Sequence, residues 1–123
     1  MNNEEKELLL KDLSGRLPYH TKIDTGVEGI ATLDGTLYEL NRFNLECNNE
    51  AFLPYLRSMS SMTEEEKTEY FLLKHRDNDR DDNIILVDEA SMLIDWLNKH
   101  HFDYRGLIEK GLALEAPENM YVL

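Results

Sequence analysis

The stretch from residue 95 to residue 108 constrains the fold most, because it concentrates large and ionisable side chains in fourteen positions. It contains the only Trp of the chain, two of its four His, and a Tyr followed by an Arg. Trp96 and Phe102 are large apolar groups, so both are predicted to fill the core. His100 and His101 then fall in the last turn of a helix, where a positive charge complements the helix dipole. This interpretation makes the stretch structural.

The same side chains also suit a ligand-binding site, and this second interpretation stays open. A His can carry a proton and be oriented by Asp103, while an aromatic ring can stack on a base and an Arg can hold an anion. The candidate ligand-binding residues are Trp96, His100, His101, Tyr104 and Arg105. If Arg105 is structural instead, it is predicted to pair with Asp95, Asp103 or Glu109.

The charge balance limits the partners that the chain can bind. Twenty-five acidic residues against thirteen basic ones give a net charge of -12. A surface of this charge repels nucleic-acid phosphates and anionic membranes, so direct binding to either is not expected. A protein is therefore the expected class of partner, and a homo-oligomer is compatible with the sequence.

Length and cysteine content indicate one core in a reducing compartment. A chain of 123 residues can bury roughly two-thirds of its unfolded surface, so residues 1–123 are predicted to form one domain. The single Cys47 cannot form an intramolecular disulfide, and the Glu/Lys-rich start lacks the apolar run of a signal peptide. No apolar stretch approaches the roughly 20 residues that span a bilayer. We therefore expect a cytoplasmic protein.

Two helices have clear start or stop signals. Leucine spacing and the order of charges predict a helix over residues 3–14, with Gly15 as its left-handed cap. Thr63 and Glu66 have the spacing of a capping box, which predicts a helix over residues 64–75.

The C-terminal third is predicted to contain two further helices. Asp88 is suited to cap the first, after an apolar run at residues 84–87 that is predicted to be a strand or buried coil. The residues predicted to share one side of this helix are Met92, Leu93, Trp96, Leu97 and His100. Asp103 is predicted to cap a short helix that ends before Gly111.

The middle third is predicted to form the sheet. Two strand-like runs flank Asp34 and Gly35, which tolerate the positive φ of a two-residue hairpin turn. Further strands are predicted at residues 21–24, 43–47 and 52–57. Pro54 lacks a ladder donor and favours an edge position. These elements predict an α+β fold: an N-terminal helix, a small antiparallel sheet or partly closed barrel, and two or three C-terminal helices.

An acidic segment between the predicted helices resembles a calcium loop in its spacing. The residues at loop positions 1, 3, 5, 7 and 12 are Asp77, Asp79, Asp81, Asn83 and Asp88. Position 6, where the sharp turn requires Gly, is Asp82, and the closing residue is the short Asp88 in place of Glu. The segment is therefore interpreted as a solvated connection, and no metal is predicted.

The acidic side chains suggest a protein-binding surface. Carboxylates three or four residues apart on a helix lie about 5–6 Å from one another, so they can approximate a phosphate track. The candidate protein-binding residues are Glu64, Glu65, Glu69, Asp77, Asp79 and Asp81. The alternative is ordinary solubilising acidity, which the sequence favours.

No motif indicates catalysis or a cofactor. The chain lacks a GxGxxG sequence, a P-loop and a nucleophile elbow. It also lacks the HxxxH and CxxC pairs of zinc sites, and nothing around Cys47 would activate a thiol. We therefore expect neither an enzyme nor a bound cofactor.

Three separated blocks carry a resemblance to a known family. They are residues 8–19 (LLLKDLSGRLPY), residues 53–66 (LPYLRSMSSMTEEE), and residues 95–117, which begin with DWLN and end with EAP. Across these blocks the chain resembles a family of small proteins, without an assigned activity, from Bacteroidetes phages and prophage-like elements.

The resemblance implies a mobile-element accessory protein in a bacterial cytoplasm. Small phage proteins of this sort often bind host factors, including defence proteins, or sequester signalling nucleotides. The expected function is therefore that of a non-enzymatic acidic protein that engages a host protein such as a defence component, and the expected partner is a host or phage protein. The alternative is a small-ligand protein that sequesters or hydrolyses a nucleotide signal.

Overall fold

The protein has four α-helices and a four-stranded sheet within the described part of the chain. A computed structural model describes residues 1–26, 29–47, 50–75 and 83–121, and for residues 83–90 it describes the backbone alone. The elements are α1 (Asn3–Arg16), β1 (Lys22–Asp24), β2 (Ile30–Thr32), α2 (Gly35–Cys47), β3 (Leu53–Leu56), α3 (Glu64–Lys74), α4 (Asn83–Lys99) and β4 (Leu114–Glu115). The predicted α+β class is confirmed, and the sheet is open and not closed into a barrel.

The N-terminal helix runs past its predicted end. Asn2 and Glu5 form a capping box at its start, but Gly15 lies within the helix and is not its cap. The helix continues to Arg16, which makes an i,i+4 ion pair with Asp12. A 3₁₀ turn follows, and the left-handed residue is His20 at φ 56°.

The predicted hairpin at Asp34 and Gly35 is wrong, because this pair begins α2. The Asp34 carboxylate accepts a hydrogen bond of 2.8 Å from the backbone N–H of Leu37, as an N-cap does. The predicted strand at 43–47 is therefore helical as well. The face of α2 that carries Asn41 and Leu45 is buried, and this packing favours the helix.

The sheet has the order β2-β1-β3-β4. The β1 strand pairs antiparallel with both β2 and β3, whereas β3 and β4 are parallel. The edge position predicted for Pro54 is wrong, since β3 is internal. Pro54 lies where β3 pairs with β1, and β4 pairs with the following residues, Tyr55 and Leu56.

The helices α3 and α4 pack against each other. The capping box predicted at Thr63 and Glu66 is present and begins α3. The strand or coil predicted at 84–87 is wrong, because α4 already begins at Asn83 and includes these residues. Asp88 therefore lies inside α4 and does not cap it. An apolar run of four residues fits a strand or a buried helix equally well. Only the length of the whole element distinguishes the two.

Two expectations near the end of α4 are also corrected. Met92 is 46% exposed and not on the buried side. Residues 104–121, the described part of the chain after Asp103, contain no helix, although the Asp103 carboxylate accepts hydrogen bonds from the backbone N–H groups of Leu107 (2.8 Å) and Ile108 (2.9 Å). Gly106 has a φ of 71°, and this left-handed residue interrupts a helical path.

The apolar core has three described clusters. They contain Leu9, Leu13, Ile23, Leu33 and Leu45; Leu56, Leu107, Leu112 and Ala113; and Met62, Leu97 and Phe102. Phe102 is fully buried as predicted, whereas Trp96 is half-buried at the edge of the third cluster. In the described residues, no helix has the length and apolar character needed to cross a membrane.

Candidate acidic binding groove

A groove of about 740 Å³ opens between the start of α3, the end of α4 and the segment after β4. Its described lining residues are Arg57, Ser58, Ser61, Thr63, Glu65, Glu66, Glu69, His100, Glu115, Ala116, Pro117, Glu118, Asn119 and Tyr121. Its volume is in the range of ordinary ligand sites. We call it the acidic groove, because five of these residues are glutamates and one is an arginine.

The floor of the acidic groove is a clamped ion pair. Arg57 donates two hydrogen bonds to the carboxylate of Glu66, at 2.7 and 2.8 Å, and its guanidinium lies 4.3 Å from the ring centroid of Phe102. The hydrogen bonds from Arg57 lower the pKa of Glu66 to about 2, and those from Thr63 add to this effect, although burial opposes it. Glu66 is therefore ionised at neutral pH and neutralises Arg57.

His100 flanks this ion pair. Its Nδ1 lies 3.2 Å from the Oε2 atom of Glu66, without the alignment of a hydrogen bond. Its ring packs against Trp96, with centroids 4.5 Å apart. The imidazole thus lies at the groove between an aromatic ring and a carboxylate.

The rim of the acidic groove carries exposed carboxylates. Glu65 and Glu69 come from one face of α3, while Glu115 and Glu118 come from β4 and the segment after it. Because Arg57 is already paired with Glu66, these four side chains give the groove an excess of negative charge. Such a groove attracts a cation.

Tyr121 holds one wall of the groove in place. Its hydroxyl accepts a hydrogen bond of 2.8 Å from the backbone N–H of Lys22 and donates one of 2.6 Å to the carbonyl oxygen of Tyr55. Burial raises the pKa of Tyr121 to about 12, so the hydroxyl keeps its proton. The segment after β4 is thereby tied to β1 and β3.

His101 lies behind this wall, and the positive charge expected for it is not supported. It is 6% exposed, its ring stacks on Tyr121 with centroids 3.7 Å apart, and its Nδ1 lies 3.2 Å from the Oγ1 atom of Thr21. Burial, followed by the charges of Arg16 and Arg57, lowers the pKa of His101 to about 4. The imidazole is therefore neutral at pH 7.

Arg105 and Tyr104 face a different part of the molecule. Arg105 donates through Nη1 to Asp12 at 2.8 Å and to the Tyr104 hydroxyl at 2.7 Å. Arg16 binds the same Asp12 carboxylate through bonds of 2.8 and 3.1 Å, and it also donates to the Phe102 carbonyl oxygen at 2.7 Å. The ion pairs predicted for Arg105 within its own segment are thus replaced by a pair with a residue of α1.

The candidate ligand-binding residues are therefore distributed over three places. His100 lines the acidic groove, and Trp96 lies at its edge. His101 packs behind Tyr121, whereas Tyr104 and Arg105 belong to the cluster around Asp12. The structure does not bring these five groups to one cleft.

The candidate protein-binding residues are partly brought together. Glu65 and Glu69 line the acidic groove, whereas Glu64 pairs with Lys67 at 3.2 Å on an exposed part of α3. Asp77, Asp79 and Asp81 lie outside the described residues.

Sequence reasoning missed the five other charged or aromatic residues of the groove, which are Arg57, Glu66, Glu115, Glu118 and Tyr121. The capping-box spacing identified Glu66 as a helix start, but this spacing carries no sign of its pairing with Arg57. Glu115 and Glu118 have no local pattern in the sequence, because the fold alone brings them beside α3.

The described residues include no group of three or more His, Cys, Asp or Glu that could hold a metal ion. Positions 7 to 12 of the calcium-like spacing, residues 83–88, lie in α4 and are helical. The second half of that spacing is thus not arranged as a loop.

Comparisons with protein-family models, with curated proteins and with solved structures found no match.

Proposed function

We propose that this chain is a non-enzymatic binding protein of a phage or mobile element, acting in a bacterial cytoplasm. In this proposal the acidic groove engages a basic segment of a host protein, such as a defence component. The resemblance to small phage proteins supplies the biological setting, and the groove supplies the chemistry.

The observation that carries the proposal is the arrangement of charge in the groove. Arg57 and Glu66 neutralise each other at the floor, so the rim carboxylates of Glu65, Glu115 and Glu118 remain to face an incoming partner. A Lys or Arg side chain that enters the groove would meet several of them at once. Charge pairing of this kind mainly accelerates association and selects the partner.

A capture experiment with matched variants tests the proposal. The protein is immobilised, exposed to a Bacteroidetes lysate, and the retained proteins are identified by mass spectrometry. The groove variant carries Glu65→Gln, Glu115→Gln and Glu118→Gln. The control variant carries Glu7→Gln, Glu39→Gln and Glu46→Gln, which remove the same charge from exposed positions on α1 and α2.

We expect proteins with basic segments to be retained by the wild type and by the control variant, and to be lost with the groove variant. Retention should also weaken as salt is raised, because salt screens exposed charges. Equal retention by the groove variant would contradict the proposal, as would the absence of any protein retained specifically by the wild type.

A further inference from the structure

A second, smaller depression of about 310 Å³ adjoins the acidic groove on the α3–α4 pair. It is lined by Leu72, Leu73 and Trp96 together with Glu69, and we call it the apolar notch. Glu69 lines both depressions, and its carboxylate accepts a hydrogen bond of 2.9 Å from the indole N–H of Trp96. The two sites are therefore continuous.

The apolar notch exposes side chains that usually seek a partner. Leu72 is 59% exposed, and Trp96 is only half-buried, against Tyr70 and His100. Met92, which precedes Trp96 by one helical turn, is also exposed. Apolar side chains that adjoin a polar rim in this way are typical of interaction surfaces.

The spacing along α3 fixes the geometry of a partner. Glu65, Glu69 and Leu72 follow at i, i+4 and i+7, so they share one face of the helix. At 1.5 Å per residue, Leu72 lies about 10 Å further along the helix axis than Glu65. A partner helix that lies along this face would place a cation and an apolar side chain about seven residues apart.

We propose that the acidic groove and the apolar notch together bind a basic amphipathic helix of another protein. A Lys or Arg of that helix enters the groove beside Glu65 and Glu69, and a leucine-like side chain fills the notch between Leu72 and Trp96. This inference rests on the proposed function and names the partner's chemistry. Charge complementarity selects this occupant over a second copy of the chain, since two copies would each bring a net charge of -12.

The only Trp of the chain lies in the notch, so its fluorescence reports directly on occupancy. The probe is a Trp-free helical peptide with Lys and Leu seven positions apart, titrated into the full chain while Trp96 emission and binding heat are recorded. The control ligand is a peptide of the same composition in which the Leu is moved by two positions, so that it no longer shares a helix face with the Lys. We expect saturable binding with a blue shift for the first peptide and much weaker binding for the second.

Leu72→Ser tests the notch, and Phe43→Ser, which removes a similarly exposed apolar side chain from α2, is its matched control. Leu72→Ser should weaken the affinity for the peptide by about tenfold, as loss of a central apolar contact does. Phe43→Ser should leave the affinity unchanged. Both sites are exposed, so both variants should fold.

The outcomes separate the two proposals. If the groove variant loses the peptide but Leu72→Ser retains it, the notch is not used, whereas the groove still is. Binding without any change in Trp96 emission also contradicts the inference. If neither variant changes binding, or no peptide binds at all, both proposals fail for this class of partner.

Discussion

Two clusters in this protein are each built on a buried carboxylate that binds arginine, but they have different surroundings. In one, Asp12 accepts hydrogen bonds from Arg16 and Arg105. In the other, Glu66 accepts hydrogen bonds from Arg57 and lies beside His100. The side chains of Asp12 and Arg16 are completely buried, whereas the second cluster forms the floor of an open groove.

An adjoining open groove, and not the exposure of the side chains, separates the candidate site from the structural cluster, because Arg105 is 21% exposed and Arg57 and Glu66 are only 16% and 8% exposed. The Asp12 cluster joins α1 to the segment after α4 and lines neither of the two described depressions. The Glu66 cluster fixes the start of α3 and also sets the charge of a surface that a partner can reach. Each of the following predictions tests that difference, beginning with the largest effect.

Asp12→Asn should be the most destabilising change, by about 3–5 kcal/mol, because it leaves the buried Arg16 without a counter-charge. The free energy of unfolding measured in urea checks this. Glu7→Gln, on an exposed position of the same helix, should change it by less than about 0.5 kcal/mol. A value for Asp12→Asn as small as that of Glu7→Gln would mean that the buried cluster is not needed for stability.

His101 should make the protein sensitive to mild acid. Burial, followed by the charges of Arg16 and Arg57, lowers the pKa of this imidazole. Its pKa is about 4 in the folded protein, against an ordinary value of 6.5. The unfolded chain therefore binds more protons between these values, so stability falls as pH drops from 6.5 to 4. The full loss corresponds to about 3 kcal/mol.

The variant His101→Asn isolates this effect, since Asn tolerates the left-handed backbone at φ 63°. Urea unfolding at several pH values should show that the variant has lost most of the fall in stability between pH 6.5 and pH 4.5, the value below which Glu66 also begins to contribute. An unchanged pH dependence would show that other groups cause it and that His101 is not held neutral.

Glu66→Gln should cost less than Asp12→Asn, about 1–3 kcal/mol at pH 7, because this cluster lines an open groove and Gln can still accept a hydrogen bond. The pKa of Glu66 is lowered from 4.5 to about 2, so its contribution is present above 4.5 and is lost as pH falls toward 2. The difference in unfolding free energy between wild type and variant should therefore shrink over this range. A constant difference would contradict the pairing with Arg57.

Arg105→Lys should have the smallest effect, about 1 kcal/mol, because a Lys keeps the charge near Asp12 but cannot reproduce the geometry of the guanidinium. Its thermal midpoint would fall slightly. Calorimetric titration of cyclic and linear nucleotides should give no binding to either protein. Saturable micromolar binding that Arg105→Lys abolishes would instead favour the nucleotide-sequestering alternative.

The elements that the sequence predicted correctly have signals within a few residues. The capping box of Thr63 and Glu66 identified α3, and charge order with leucine spacing identified α1. Asp34 and Gly35 were misinterpreted because an Asp before Gly suits a tight turn and a helix N-cap equally well. Burial of the α2 face decides between them, and burial depends on residues distant in the sequence.

The candidate site was predictable only in its parts. Glu65, Glu69 and His100 were recognised as possible site residues, but nothing local connects them to Glu115 or Glu118. The sequence also carried no sign that His100 and His101 lie in different surroundings. The backbone of His101 is left-handed, so two adjacent imidazoles point to different environments, one at the groove and one behind Tyr121.

The hydrogen bonds that join α1 and β1 to the last third of the chain also set the order of events during folding. They connect positions as far apart as 93 residues, for Asp12 and Arg105, and 99 residues, for Lys22 and Tyr121. Closing such long loops costs entropy before any contact compensates for it, so folding should be slow for a chain this rich in helix. Asp12 and Arg16 pair within α1, but they must wait for their further partners, the Phe102 carbonyl oxygen and Arg105, until the last third of the chain has been made. The amide protons of α1 and of Phe102 should therefore exchange with solvent through one shared opening event.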